Sequence, residues 1–132
     1  MSDLKNTDIV RHSYDEWRAG NTEDAFKYID RGVVLHAPID PPTYDGWVQS
    51  ELWTTSAALD ARYTIEDLIA DGDKVAVRWR LDATDEQGQV TGVAGKKISL
   101  TGITIQRVAS GKVVEHWYAF SPKSASAVLA QM

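Results

Sequence analysis

The chain has 132 residues, 43% of them hydrophobic and 25% charged, so one domain over residues 1–132 is expected, with a core large enough for a modest pocket. Nineteen acidic against 14 basic residues leave a net charge of −5, and no basic stripe is present to neutralise phosphates, which argues against nucleic acid or anionic lipid as a main partner. The lack of cysteine excludes disulfides and thiolate chemistry. No apolar run nears the roughly 18 residues of a membrane span, and Met1–Lys5 lacks a secretory pattern, so the cytoplasm is the expected compartment.

From Thr7 to Ala19 the spacing of Val10, Tyr14 and Trp17 predicts a helix with one apolar face, ended by Gly20. Asn21 or Thr22 can cap a second, short helix carrying Phe26 and Ile29. After Gly32 the period changes, and Val33 to Ala37 reads as a strand. Pro38, Pro41 and Pro42 end it and force an extended loop holding Asp40. A third helix is expected over about Gly46 to Leu59, with Val48, Leu52 and Leu59 on one face.

The second half is β-rich. Tyr63 to Ala70 forms one strand and Asp71-Gly72-Asp73 a turn. Lys74 to Thr84 alternates Val75, Val77, Trp79 and Leu81 with Arg78, Arg80 and Asp82. Ile98 to Val108 and Lys112 to Phe120 are two more strands, joined by the hairpin signal Ala109-Ser110-Gly111. Ser121-Pro122 opens a short final helix. Helices followed by an antiparallel meander make an α+β pattern, with a curved antiparallel sheet packed against three N-terminal helices and a pocket between the layers.

Strand parity assigns the two faces of that sheet. Val114, His116, Tyr118 and Phe120 would face in, matched by Leu100, Gly102, Thr104 and Gln106 on the preceding strand. Ile103, Ile105, Val113 and Trp117 would face out. An apolar outer face on a small acidic protein suggests a homodimer through that surface.

Ile65 to Trp79, Gly95-Lys96-Lys97, Gly102-Ile103-Thr104-Ile105 and Gly111 to Trp117 resemble the polyketide cyclase family of the SnoaL type, in the nuclear transport factor 2-like superfamily that includes ketosteroid isomerase. Trp17-Arg18-Ala19-Gly20-Asn21 is similar to that family's helix-to-helix junction. The resemblance covers most of the chain. It implies a cone-shaped α+β fold with a deep pocket, commonly dimeric and without a cofactor. It also implies an inward Asp two residues after the final-strand His, and a His and a Gln on the preceding strand. Those positions are Tyr118, Thr104 and Gly102 here. The ketosteroid isomerase base would fall near Ala37 and its oxyanion Asp near Ile103, so neither acid–base set is present.

His116 is the leading candidate for moving a proton near neutral pH, against a purely structural histidine. Tyr118 can donate to a substrate carbonyl or simply shape the cavity. His36 and Asp40, at the end of the first strand and in the following loop, could supply a second proton group, although the position of Asp40 before a turn favours a solvated residue there. Tyr14, Trp17, Trp53, Trp79, Gly102, Thr104 and Phe120 are expected to line the pocket, and flat aromatic walls suit a planar ligand. His12, His36 and His116 show no metal-ligand spacing, so no metal is expected.

Two readings follow. One is a cofactor-independent enzyme acting on a small hydrophobic or aromatic molecule by acid–base chemistry of isomerase, cyclase or lyase type. The other is a non-catalytic binder or accessory protein of the same fold.

Overall fold

The computed structural model describes residues 5–37, 39–56 and 59–120, the side chain of Phe120 excepted. The expected final helix after Ser121 therefore lies outside the described residues. Helix α1 covers Asn6–Ala19 and buries Ile9, Val10, Ser13, Tyr14 and Trp17, the face that the 3.6-residue period marks. Gly20 closes it in the left-handed region at φ 86°, where its backbone N–H reaches the last carbonyls. The second expected helix shrinks to one 3₁₀ turn, Asp24–Phe26. Ser13 Oγ donates to Ala25 O at 2.6 Å and pins that turn against α1.

Ile29 belongs not to a helix but to β1, Ile29–His36. Helix α2 then covers Tyr44–Thr54, capped by Thr43, whose hydroxyl accepts from the Gly46 N–H. It is shorter than the expected Gly46 to Leu59. Thr54 and Thr55 hydroxyls bond back to the Ser50 and Glu51 carbonyls at 2.8 and 2.7 Å, and the chain leaves the helix there. Its buried face is also rotated from the one expected. Gly46, Trp47 and Glu51 point inward, while Val48 and Leu52 are only half-buried.

Strands β2 (Arg62–Asp71), β3 (Lys74–Asp85), β4 (Lys96–Ala109) and β5 (Lys112–Phe120) form the expected antiparallel meander. The sheet order is β1-β5-β4-β3-β2. Strand β1 joins the edge beside β5 and runs parallel to it, so the five-stranded sheet is mixed rather than wholly antiparallel. The connection from β1 to β5 contains α2 and strands β2 to β4, long enough to bring the two strands side by side in the same direction.

One irregularity in β5 decides which residues face the helices. Arg107 pairs with Glu115 but Val108 pairs with Val113, leaving Val114 as the extra residue of a β-bulge. Val113 is therefore fully buried, not on the outer face as simple parity predicts. Beyond the bulge the expected alternation holds: His116 is buried, opposite Gln106, and Tyr118 pairs with Thr104. The core lies between the inner sheet face and the two helices. Its centre is aromatic, with Trp17 packed against Phe26, Trp47 and Tyr63 at ring separations of 5.6, 6.0 and 5.5 Å.

Candidate active site

Between helices and sheet lies a cavity of about 300 Å³, at the small end of the usual range for ligand sites. One side is aliphatic, built by Leu59, Leu81, Ala83, Val90, Ile98 and Leu100. The other carries the polar groups Tyr14, Glu51, Tyr63, Thr104, His116 and Tyr118. No Lys or Arg is among the lining residues described. The sheet supplies three of these groups by register, since His116 follows Gln106 across one rung and Tyr118 follows Thr104 across another.

The expected lining residues Tyr14, Trp17, Trp53, Trp79 and Thr104 all border this cavity, together with His116 and Tyr118. Trp53 sits half in solvent. Gly102 does not line it. A side chain there would collide with the Trp79 indole and the Ala119 carbonyl, so this glycine makes room for Trp79. The side chain of Phe120 lies outside the described residues.

The structure does not bring His36 or Asp40 to the cavity. Val33 and Leu35 take the inward positions of β1, so His36 points to the opposite sheet face. There it stacks on Trp117 at 5.1 Å and its Nε2 lies 2.7 Å from Glu115. Asp40 is exposed in the loop before α2.

Glu51 is the residue that the sequence reading missed. It projects from α2 one turn after Trp47, and burial drives its carboxyl up to about 7, against hydrogen bonds from Tyr63 and Trp47 that pull it down. Tyr63 Oη donates to both carboxyl oxygens, at 3.1 and 3.3 Å. An available signal was a lone acid four residues after an aromatic, in phase with it on a helix; the aliphatic pattern of Val48 and Leu52 masked it.

The other titratable groups of the cavity are neutral near pH 7. Burial raises the Tyr14 phenol, raises Tyr118 to about 12 and pushes Tyr63 well above its ordinary value. Burial also lowers the His116 imidazole to about 3. A ring held neutral over that range can serve as a hydrogen-bond partner at neutral pH, whereas the acid–base role expected for His116 needs it to gain and lose a proton there. It stacks on Trp47 at 4.3 Å, and its Nδ1 lies 2.9 Å from Gln106 Nε2.

Tyr14 is oriented by a short hydrogen-bonded chain. The Trp79 indole N–H, which can only donate, gives its hydrogen to Thr104 Oγ1 at 2.8 Å. The Thr104 hydroxyl is in turn hydrogen-bonded to Tyr14, lowering its phenol against the effect of burial. The Thr104 hydroxyl, with one hydrogen and two acceptor lone pairs, thus links Trp79 to Tyr14.

Outside the cavity, His12, Glu16 and Asp24 bring ligand-type atoms within 4.8 Å of one another. These atoms already have protein partners: Glu16 accepts from Asn21 and the His12 ring meets the Asp24 carbonyl. Among the described residues, no helix is long and apolar enough to cross a membrane.

Comparison with solved structures returns the same architecture. IdmH of Streptomyces antibioticus, a candidate polyketide cyclase, is 26% identical over 97% of this chain and 98% of its own, with a TM-score of 0.79. TsrD of Streptomyces laurentii is 18% identical over the full length of both chains, with a TM-score of 0.79. A SnoaL-like polyketide cyclase of Agrobacterium tumefaciens is 15% identical over 95% of this chain and 98% of its own, with a TM-score of 0.74. A comparison with curated proteins returns no match. Residues 7–124 match the model of the SnoaL-like polyketide cyclases, and the chain belongs to that family.

Proposed function

We propose that the protein is a cofactor-independent enzyme of cyclase or isomerase type, acting on a neutral, ring-sized carbonyl compound. The observation that carries this reading is Glu51, an acid poised near neutrality inside an apolar, aromatic cavity. In its ionised form Glu51 takes a proton from the carbon beside the substrate carbonyl. The electron pair moves onto the carbonyl oxygen, which becomes an enolate. Neutral donors on the cavity wall, Tyr14, Tyr118 and the His116 ring, stabilise that oxygen. The enolate then attacks a second carbonyl of the same molecule, closing a ring, and Glu51 returns its proton to the alkoxide so formed; where a C=C is conjugated with the enolate, Glu51 returns the proton to the far carbon of that dienolate instead.

The absence of basic side chains among the described lining residues disfavours anionic substrates, and the aliphatic wall favours apolar ones. Family membership and the likeness to IdmH support cyclase-type chemistry. The test is hydrogen–deuterium exchange of neutral two- and three-ring aryl ketones in D₂O, followed by NMR. Wild type is expected to exchange the proton beside the carbonyl, and Glu51→Gln to lose that exchange.

The binder reading is favoured by one observation: Tyr118 occupies the position where the family resemblance implies an aspartate. A ketone that binds wild type tightly and returns without exchange would establish it.

We also propose that the outer sheet face is covered by a second copy of the chain. Ile69, Ala76, Ile105, Trp117 and His36 form one continuous rung across all five strands, with Ile103 exposed beside it. Ile105→Lys would place a charge in the middle of that rung. Light scattering should show a dimer for wild type and a monomer for the variant.

A further inference from the structure

Gln106 is fully buried on β4, one rung from His116, and takes no part in the chemistry described above. Its amide nitrogen lies 2.9 Å from His116 Nδ1, while its Oε1 has no partner among the described residues. The direction of this bond determines what the imidazole offers the cavity. An amide N–H can donate only to an unprotonated Nδ1, which leaves the single hydrogen of a neutral ring on Nε2. The opposite amide orientation would set the nitrogen, with both of its hydrogens, where the lone oxygen now sits. A buried amine group without acceptors is the costlier arrangement.

We propose that Gln106 is a positioning residue: by donating to Nδ1 it locks His116 as the Nε2–H tautomer, making the ring a fixed hydrogen-bond donor to substrate oxygen. The ring is held in place by two further contacts, the Trp47 stack and the neighbouring Tyr118 ring at 5.5 Å. The titratable groups that share its cavity are Tyr14 on α1, Glu51 on α2, Tyr63 on β2 and Tyr118 on β5. Of these only Glu51 changes charge near neutrality, and it carries no positive charge in either form. Among the described lining residues none supplies a cation, and the ring's neutrality is consistent with its burial. The donor role toward substrate rests on the acid–base reading above, whereas the tautomer does not and can be measured without a substrate.

The experiment is NMR of the uniformly ¹⁵N-labelled protein near pH 7. The chain has only three histidines, and His116 is assigned by the signals that vanish in His116→Phe. The expected result is an Nε2–H ring, together with a scalar coupling across the hydrogen bond between Gln106 Nε2 and His116 Nδ1. Such a nitrogen–nitrogen coupling exists only if the amide N–H faces the ring. An Nδ1–H ring, or a cationic ring, would overturn the proposal.

Gln106→Leu, or Gln106→Met should the first fail to fold, tests who holds the tautomer. The coupling must vanish, and the ring should become a mixture of both tautomers. A folded variant that keeps a pure Nε2–H ring would show that something other than Gln106 sets it, and would equally overturn the proposal. Failure of Glu51→Gln to stop proton exchange would defeat the proposed reaction while leaving these nitrogen signals unchanged.

Discussion

Tyr63 donates its hydroxyl to both oxygens of Glu51, at 3.1 and 3.3 Å, so the strand opposite α2 tunes the acid that α2 delivers. This bond favours the ionised carboxylate and lowers Glu51 against the effect of burial. Removing it with Tyr63→Phe should raise Glu51 further. The pH–rate profile, set by ionised Glu51 and rising through about pH 7 in wild type, is expected to shift to higher pH in Tyr63→Phe. The check is kcat/KM against pH for both proteins. An unshifted limb would show that another group controls it.

Glu51 should also cost stability as it ionises. The folded form holds its proton up to about pH 7, whereas the unfolded chain releases it near the ordinary value of 4.5. Between those values the native state binds more protons, so stability falls as pH rises, by about 3 kcal/mol in all. His116 acts in the opposite sense: the unfolded chain protonates it near 6.5, the folded one only near 3, so its contribution is lost as pH falls. From about pH 4.5 to 6.5 the two slopes oppose each other. Glu51→Gln removes one of them. Urea unfolding should show the variant equal to wild type near pH 4 and more stable by about 3 kcal/mol near pH 8.

His36 and Asp40 make the complementary prediction. His36 lies on the far sheet face against Trp117 and Glu115, and Asp40 is exposed. His36→Ala and Asp40→Asn should each leave turnover within about twofold of wild type, whereas removal of a general acid or base costs about 10²- to 10⁴-fold. Steady-state rates on a substrate that Glu51→Gln no longer turns over decide this.

Gly102→Ala should disturb the cavity from behind. A methyl group there meets the Trp79 indole and the Ala119 carbonyl, so Trp79 must move, and its bond to Thr104 loosens. The expected cost is about 1–3 kcal/mol, read as a lower thermal midpoint with altered tryptophan fluorescence.

These residues also show what was legible in the sequence. Alternation in β3 and helical spacing in α1 were strong because each buried face is almost purely apolar, and both held. The inward placement of Thr104, Gln106, His116 and Tyr118 was equally readable from parity. Glu51 was hidden because a buried acid breaks the rule that marks a buried face; Val48 and Leu52, only about a hundred degrees round the helix, looked the better stripe. His36 was misplaced toward the pocket because nearness in sequence to the Pro-rich loop says nothing about which face a strand residue takes. The parallel pairing of β1 with β5 was likewise invisible, since it joins segments about 80 residues apart with no local turn signal.

The bulge at Val114 carries a consequence of a different kind. Val113 and His116 are three residues apart, so an unbroken strand would set them on opposite faces; the extra residue lets both face the helices. Deleting Val114 would close the ladder, with Val113, Glu115 and His116 opposite Val108, Arg107 and Gln106 in turn, and would leave His116 and Tyr118 facing inward. Deleting a second residue as well, Glu115, would turn the strand over beyond Val113 and send His116 and Tyr118 to the outer face. The chemistry of this pocket is therefore specified by a count as well as by residue identity, and the bulge is where one residue of that count can be lost.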